Sequence, residues 1–316
     1  MGDSMIKVLI TGGAGFIGST LAHKLVRNNS KVVIVDDLSM GRLQNLSDIS
    51  DKITFFKHNV CDEDFMHKLL LKWNFDYIYY LAAVSSVADS IVRPWYTHLV
   101  NQESVINTLE FIRTNHLPIK KFLFTSSAAV YGNAADFPKT EESHVDPLTP
   151  YAIDKYASER YTVDFGKLYD IPTVAVRFFN VYGPRQNPNS EYSGVLSIVT
   201  KCLKENKPFV LYGDGSQTRD FVYVEDVVDA LIKISEETDK PTVYNIANGN
   251  ETPLIDVVHT YEDIARKKLN IIQKEARQGD ISKSRADVSK LKKIGFEPQW
   301  SLHDGLSNYW KYYSEN

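Results

Sequence analysis

Four glycines, Gly12, Gly13, Gly15 and Gly18, fall in the stretch VLITGGAGFIGSTLAHKL, between an apolar β-branched run and a helical pattern. A strand that turns at glycines into a helix narrows the possible folds more than any other feature of the chain. The glycines permit a tight turn and close approach of a pyrophosphate, whose charge the amides and dipole of the helix N-terminus favour. Phe16 and Ile17 would pack beneath it. Eighteen residues beyond Gly18, Asp36 ends the next apolar run in KVVIVDDLS, where a carboxylate accepts from both hydroxyls of an adenosine ribose. A Gly-rich turn with no ligand is the bland alternative, weakened by the acid at this spacing. Asp36 and Asp37 would repel a 2′-phosphate, so NAD is preferred over NADP, with Arg42 the one opening left for the latter.

Strand and helix patterns go on alternating: Ile6–Thr11, Ser19–Asn28, Lys31–Asp36, then Tyr77–Ala82, Lys121–Thr125 and Thr173–Arg177. Such alternation predicts an α/β chain with a parallel, doubly wound sheet of Rossmann type, covered on both faces. After about Asn180 the rhythm breaks into Gly- and Pro-bearing loops (YGPRQNPNS, LYGDGSQ), as expected of a smaller α/β substrate lobe. The expected division is a dinucleotide-binding domain over 5–180 and a substrate domain over 181–316, with some interleaving of segments. No internal repeat or low-complexity tract is present.

The chain has 316 residues, 43% of them apolar and 24% charged, which suits two globular lobes better than one core. A formal net charge of -4 with no basic run argues against a nucleic-acid partner. Apolar runs such as Val32–Val35 and Tyr77–Ala83 are strand-sized and too short to span a bilayer. Cys61 and Cys202 offer no disulfide framework, and no signal-peptide pattern precedes the first strand, so a reducing cytoplasm is expected. The leading MGDS reads as an expression scar and is set aside. No metal set is expected.

A second group of chemical residues follows the apolar run in FLFTSSAAVYG, which ends in Thr125, Ser126 and Ser127. Carboxyl ends of parallel strands are where ligands sit in such sheets. About two dozen residues on, YAIDK sets Tyr151 and Lys155 at i, i+4, so both leave one helical face. On those five residues alone a solvated helix face is the safer reading, and for Ser126 a turn cap remains a fair alternative. Taken together, hydroxyl, phenol and ammonium stand in a productive order along the chain.

TGGAGFIG, LAA, SSAAVYG, YAIDKYASE, RFFNVYGPRQ and YGDGSQTRDFVYVEDVVDA occur in one order over nearly the whole chain. In this the sequence resembles the extended short-chain dehydrogenase/reductases, the NAD-dependent nucleotide-sugar epimerases and dehydratases. The resemblance implies Tyr151 as acid/base, Lys155 as the group that lowers its pKa and holds the nicotinamide ribose, and Ser127 as hydrogen-bond partner of the reacting oxygen. A free phenol titrates near about 10, so nearby positive charge is needed to make it a base at neutrality. The same resemblance assigns Gly12, Gly15, Phe16, Ile17, Gly18, Asp36, Asn59, Val60, Leu81, Ala82, Ala83, Asn101 and Ser126 to the cofactor, together with Tyr151 and Lys155. Many relatives carry Asp where this chain has Asn59, whose amide can still pair with adenine edges.

The 4,6-dehydratases of that group place an Asp-Glu pair after the strand-end hydroxyl, and the related decarboxylases a glutamate. This chain has Ala128 and Ala129, so elimination lacks its proton carriers. Epimerisation needs none, and the resemblance implies reversible C4 epimerisation of a UDP-hexose through a 4-keto sugar, with NAD kept bound. Arg219 and Arg277 suit a diphosphate, since guanidinium forks match phosphate oxygens; each alone could equally be a surface ion-pair residue. By resemblance Asp280 holds the nucleotide ribose and Asn180 contacts substrate near the sugar phosphate. Ser284 stands where UDP-galactose 4-epimerases carry a bulky aromatic beside the sugar's C2 substituent, and a small polar residue leaves room for an acetamido group. UDP-GlcNAc and UDP-GalNAc are therefore the favoured substrates. The alternatives are a UDP-glucose/UDP-galactose 4-epimerase with little acetamido activity, or a catalytically silent NAD-binding sensor of the same fold. Apolar positions over Pro94–Asn115 and Pro150–Leu168 fit burial within the monomer, or the helical seam of a homodimer that the resemblance implies.

Overall fold

A computed structural model describes residues 5–187, 194–276 and 281–315. The chain opens with β1 (Lys7–Thr11), α1 (Phe16–Arg27), β2 (Lys31–Val35), β3 (Ile53–Phe56), α2 (Glu63–Trp73) and β4 (Tyr77–Tyr80). Short helices α3 (Val87–Val92) and α4 (Pro94–His98) lead through a π-helical turn at Leu99–Glu103 into α5 (Ser104–Thr114). Then come β5 (Lys121–Ser127), α6 (Pro150–Tyr169) and β6 (Thr173–Phe178).

Among the described residues seven strands form the main sheet, in the order β11-β6-β5-β4-β1-β2-β3, where β11 is Val243–Ile246. The pairs β1–β2, β1–β4, β2–β3 and β4–β5 all run parallel. Strand order reverses between β1 and β4, which opens a crevice beyond their carboxyl ends. Burial follows from composition. β1, β2, β4 and β5 are near-continuous apolar runs, and Leu9, Val33, Ile78, Tyr80, Phe122 and Phe124 are fully or almost fully buried with helix residues Leu69, Leu109 and Val163 in one core. Strands covered on both faces need no polar alternation, which is why their periodicity is weak. β3 and β11, to which the sequence reading gave no bounds, are four-residue strands that each include a polar residue, Thr54 and Asn245.

The chain divides into two interleaved compact units. The first takes Met1–Gly132, Val145–Arg177 and Val228–Tyr244; the second takes Asn133–His144, Phe178–Val227 and Asn245–Asn316. The chain therefore changes unit after Arg177, where the sequence reading put the division after 180, and Val228–Tyr244 returns to the first unit.

In the second unit β7 (Asn180–Tyr182) pairs in parallel with β10 (Phe221–Tyr223), and β8 (Phe209–Tyr212) with β13 (Ile271–Lys274). A short antiparallel pair joins β9 (Thr218–Arg219) to β12 (Thr252–Pro253). Helices α7 (Val195–Glu205), α9 (Leu254–Ala265) and α11 (Leu302–Glu315) belong to it, while α8 (Val224–Glu237) begins in the second unit and ends in the first. Tyr182, Tyr223, Tyr261 and Tyr309 are buried there as an aromatic core with edge-to-face contacts.

Candidate active site

Gly12 adopts φ +72 at the end of β1, a conformation open mainly to glycine, and a Cβ there would lie 2.8 Å from the Ala82 amide nitrogen. A Cβ on Gly18 would lie 2.3 Å from the Gly12 carbonyl oxygen. Only glycines let this turn close against the ends of β1 and β4. Thr11 Oγ1 accepts from the Leu81 and Ala82 N–H groups (3.1 and 3.2 Å), tying the segment after β4 to the end of β1.

Helix α1 starts at Phe16 with Gly15 as its N-cap, no side chain caps it, and no acid stands in its first turn. The helices α2, α3 and α6 are each capped by a side chain, from Asp62, Ser86 and Thr149. The first N–H groups of α1 are thus left for an anion. Asp36, just past β2 and buried, accepts from Ala14 N–H (2.9 Å) and Leu38 N–H (2.8 Å). Burial pushes its pKa up, against those two hydrogen bonds. Each carboxylate oxygen keeps a second lone pair for a ribose hydroxyl. Gly41 lies so close that a Cβ would meet Asp36 Oδ1 at 2.7 Å, a contact nothing in the sequence signalled.

Asn59 Nδ2 donates to Asp37 (2.8 Å) and its Oδ1 accepts from Cys61 N–H (2.9 Å). The amide is therefore held by the protein on both sides, with Val60 buried beside it. Asn101, fully buried in the π-helical turn, accepts from Val84 N–H (2.8 Å) and donates to Val84 C=O (3.0 Å), clamping the loop that carries Ala83.

At the carboxyl end of β5, Ser126 is buried and its hydroxyl has no hydrogen-bond partner among the described residues. Such an orphan, with the open α1 terminus and the glycine turn, fits a polar ligand of dinucleotide type. Ser127 is half-buried, and its Oγ accepts from Ala129 N–H (3.2 Å). Tyr151 stands in the first turn of α6, where Pro150 has no N–H to lose and Thr149 caps Ala152 N–H. The Tyr151 N–H donates to Ser90 Oγ of α3 (3.2 Å).

Burial pushes the Tyr151 pKa up, opposed by the Ser127 hydrogen bond. Lys155 is buried, its Nζ donates to the Thr125 carbonyl (2.7 Å) and sits 4.9 Å above the Phe124 ring centroid. Burial pulls its pKa down to about 7, opposed by Asp154. The protein's own contacts thus hold Lys155 on the β5 backbone, and the influence that favours the phenolate comes from the Ser127 hydroxyl. One turn further, Glu159 forks onto Arg177 (2.6 and 2.8 Å), and the guanidinium lies 4.7 Å over the Tyr131 ring. Ser90, Thr11 and the Glu159–Arg177 pair escaped the sequence reading, although Glu159 shares the i, i+4 spacing with Lys155.

In the second unit Asn180 Nδ2 donates to the Asp220 carbonyl (3.3 Å), and Arg219 Nη1 donates to the Thr218 and Ile281 carbonyls (2.7 Å each). Ser284 is half-buried in a segment without regular secondary structure. Arg277 and Asp280 lie outside the described residues.

The chain matches the model of the "NAD dependent epimerase/dehydratase family" over residues 8–247. It is 36% identical to a putative UDP-glucose 4-epimerase of Methanocaldococcus jannaschii, with 95% of each chain covered. A UDP-glucose 4-epimerase of Thermotoga maritima, solved with UDP-glucose, superposes at TM-score 0.92 with 34% identity over 98% of this chain and 99% of that one. A UDP-N-acetylglucosamine 4-epimerase of Methanobrevibacter ruminantium, solved with UDP-N-acetylmuramic acid, does so at TM-score 0.92 and 34% identity over 99% of both.

Proposed function

The chain belongs to the NAD dependent epimerase/dehydratase family, and on that premise we propose that it interconverts C4 epimers of a UDP-hexose, UDP-GlcNAc and UDP-GalNAc foremost. The observation that carries the chemistry is the pair Tyr151 and Lys155, both buried on α6, with Lys155 Nζ bonded to the Thr125 carbonyl near the end of β5, which closes at Ser127. NAD is the cofactor; the Gly12–Gly18 turn, the open N-terminus of α1, Asp36 and Lys155 would hold it, and when bound it would supply a reversible hydride acceptor for the sugar carbon. Tyr151 takes the proton of the C4 hydroxyl and gives it back, while Ser127 steadies the oxygen during both transfers. Burial of Tyr151 and Lys155 keeps bulk water from competing for that proton. Ala128 and Ala129 offer no acid or base for elimination.

The acetamido preference is supported by the small side chain of Ser284 and by a relative named for UDP-N-acetylglucosamine. A second reading, with UDP-glucose and UDP-galactose as the main pair, draws on the relatives named for UDP-glucose. Asn180, Arg219, Arg277 and Asp280 are proposed to hold the nucleotide and diphosphate. We also propose a homodimer, since α6 exposes Ile153, Tyr161, Leu168 and Tyr169.

Purified protein, given no NAD, would be incubated in parallel with UDP-GlcNAc and UDP-Glc and the products separated. Approach to a UDP-GlcNAc/UDP-GalNAc mixture from either side is expected. Turnover of UDP-Glc alone would favour the second reading. No turnover of either, even with NAD supplied, would remove the UDP-hexose assignment.

A further inference from the structure

Asp220 links β9 to β10 and is fully buried, yet no step above uses it. Its carboxylate accepts from three backbone amides of two distant segments. Asn248 N–H reaches Oδ1 at 2.9 Å, Gly249 N–H lies 3.2 and 3.0 Å from Oδ1 and Oδ2, and Ala286 N–H reaches Oδ2 at 3.1 Å. Its carbonyl accepts from both the N–H (3.1 Å) and the Nδ2 (3.3 Å) of Asn180. Arg219 precedes it, and Ser284 lies two residues before Ala286 in the segment it ties down. That segment is also bound at Ser282, whose carbonyl accepts from Thr218 N–H (2.9 Å).

Three elements proposed to contact substrate therefore converge on one side chain and one carbonyl. An ionised carboxylate carries four lone-pair directions and suits three converging N–H donors, whereas any neutral isostere brings a donor of its own. We propose that Asp220 is a positioning residue for the UDP-sugar site, holding Asn180, Arg219 and the Ser284 segment in mutual register. The inference rests on the UDP-hexose reading above. Asp220 belongs to the second unit, whereas the residues proposed for the cofactor and for proton transfer belong to the first, so its loss is expected to act on substrate affinity and to leave chemistry and NAD in place.

The test compares wild type with Asp220→Asn, full chain with resident NAD, on whichever UDP-hexose the wild type turns over. The amide keeps the shape but turns an N–H₂ toward an N–H donor. KM is expected to rise by about tenfold or more, the scale of one charge-assisted hydrogen bond, with kcat within about threefold and NAD content unchanged. An unchanged KM overturns the proposal, as does a fall in kcat with loss of NAD, which marks general disruption. Hydrogen exchange on the wild type supplies a variant-free check should Asp220→Asn fail to fold. On titration with UDP, the amides of 178–182, 245–250 and 284–288 are expected to slow together, and independent responses of these segments overturn the hub. A wild type that turns over no UDP-hexose removes the underlying reading instead.

Discussion

At the scale of single residues, the acid/base assignment rests on geometry that a one-atom change can probe. Tyr151→Phe keeps the ring and removes the buried hydroxyl proposed as the acid/base. Turnover is expected to fall by roughly 10²–10⁴-fold while bound NAD, read by absorbance after release, stays at wild-type level. Lys155 carries a pH signature. Its folded pKa of about 7 lies below the unfolded lysine value, so between them the unfolded chain binds the extra proton. Stability of the nucleotide-free protein should therefore rise as pH climbs from about 7 toward about 10. Denaturant titrations across that window are expected to lose this slope in Lys155→Met. Ser284→Tyr should suppress turnover of acetamido sugars more than of plain ones, and equal suppression of both would refute the gate. Of these groups, Tyr151, Lys155 and Ser127 were legible as residue types at telling intervals. The roles of Ser90 and Thr11 were not, because a hydroxyl that accepts a distant backbone N–H leaves no local pattern.

At the scale of elements, α6 is held to the sheet by the Glu159–Arg177 fork, whose side chains are 1% and 4% exposed. Removing one partner strands the other's charge in a dry site. Glu159→Gln is expected to cost about 3–5 kcal/mol in unfolding free energy. Replacing both residues by Met should recover most of that loss, since the pair's desolvation cost disappears with its attraction. Equal losses in the single and double variants would show that packing, not charge, is what the fork supplies. Strand and helix alternation was readable for β1, α1, β2, β4, β5, α6 and β6, while the helices after residue 180 were not delimited. β3 and β11 were not delimited, because four residues with one polar member, Thr54 or Asn245, suit a buried strand or a helix interior equally.

For the whole molecule, the exposed apolar side chains of α6 argue for association. Tyr161→Glu with Leu168→Glu is expected to shift the protein from dimer to monomer in sedimentation velocity, and a dimer that survives both changes places the seam elsewhere. No described helix is long and apolar enough to cross a membrane. The sequence by itself determined the class of fold and singled out the groups proposed to react, since strand-glycine-helix order and the Ser127, Tyr151 and Lys155 spacing are local properties of the chain. Tertiary structure alone decided which partners those groups meet. Lys155 rests on the Thr125 carbonyl, Asn59 on Asp37, and three amides meet on Asp220. Each of these is a directional bond between segments remote in sequence, and direction at a distance is fixed only when the sheet and its loops have closed.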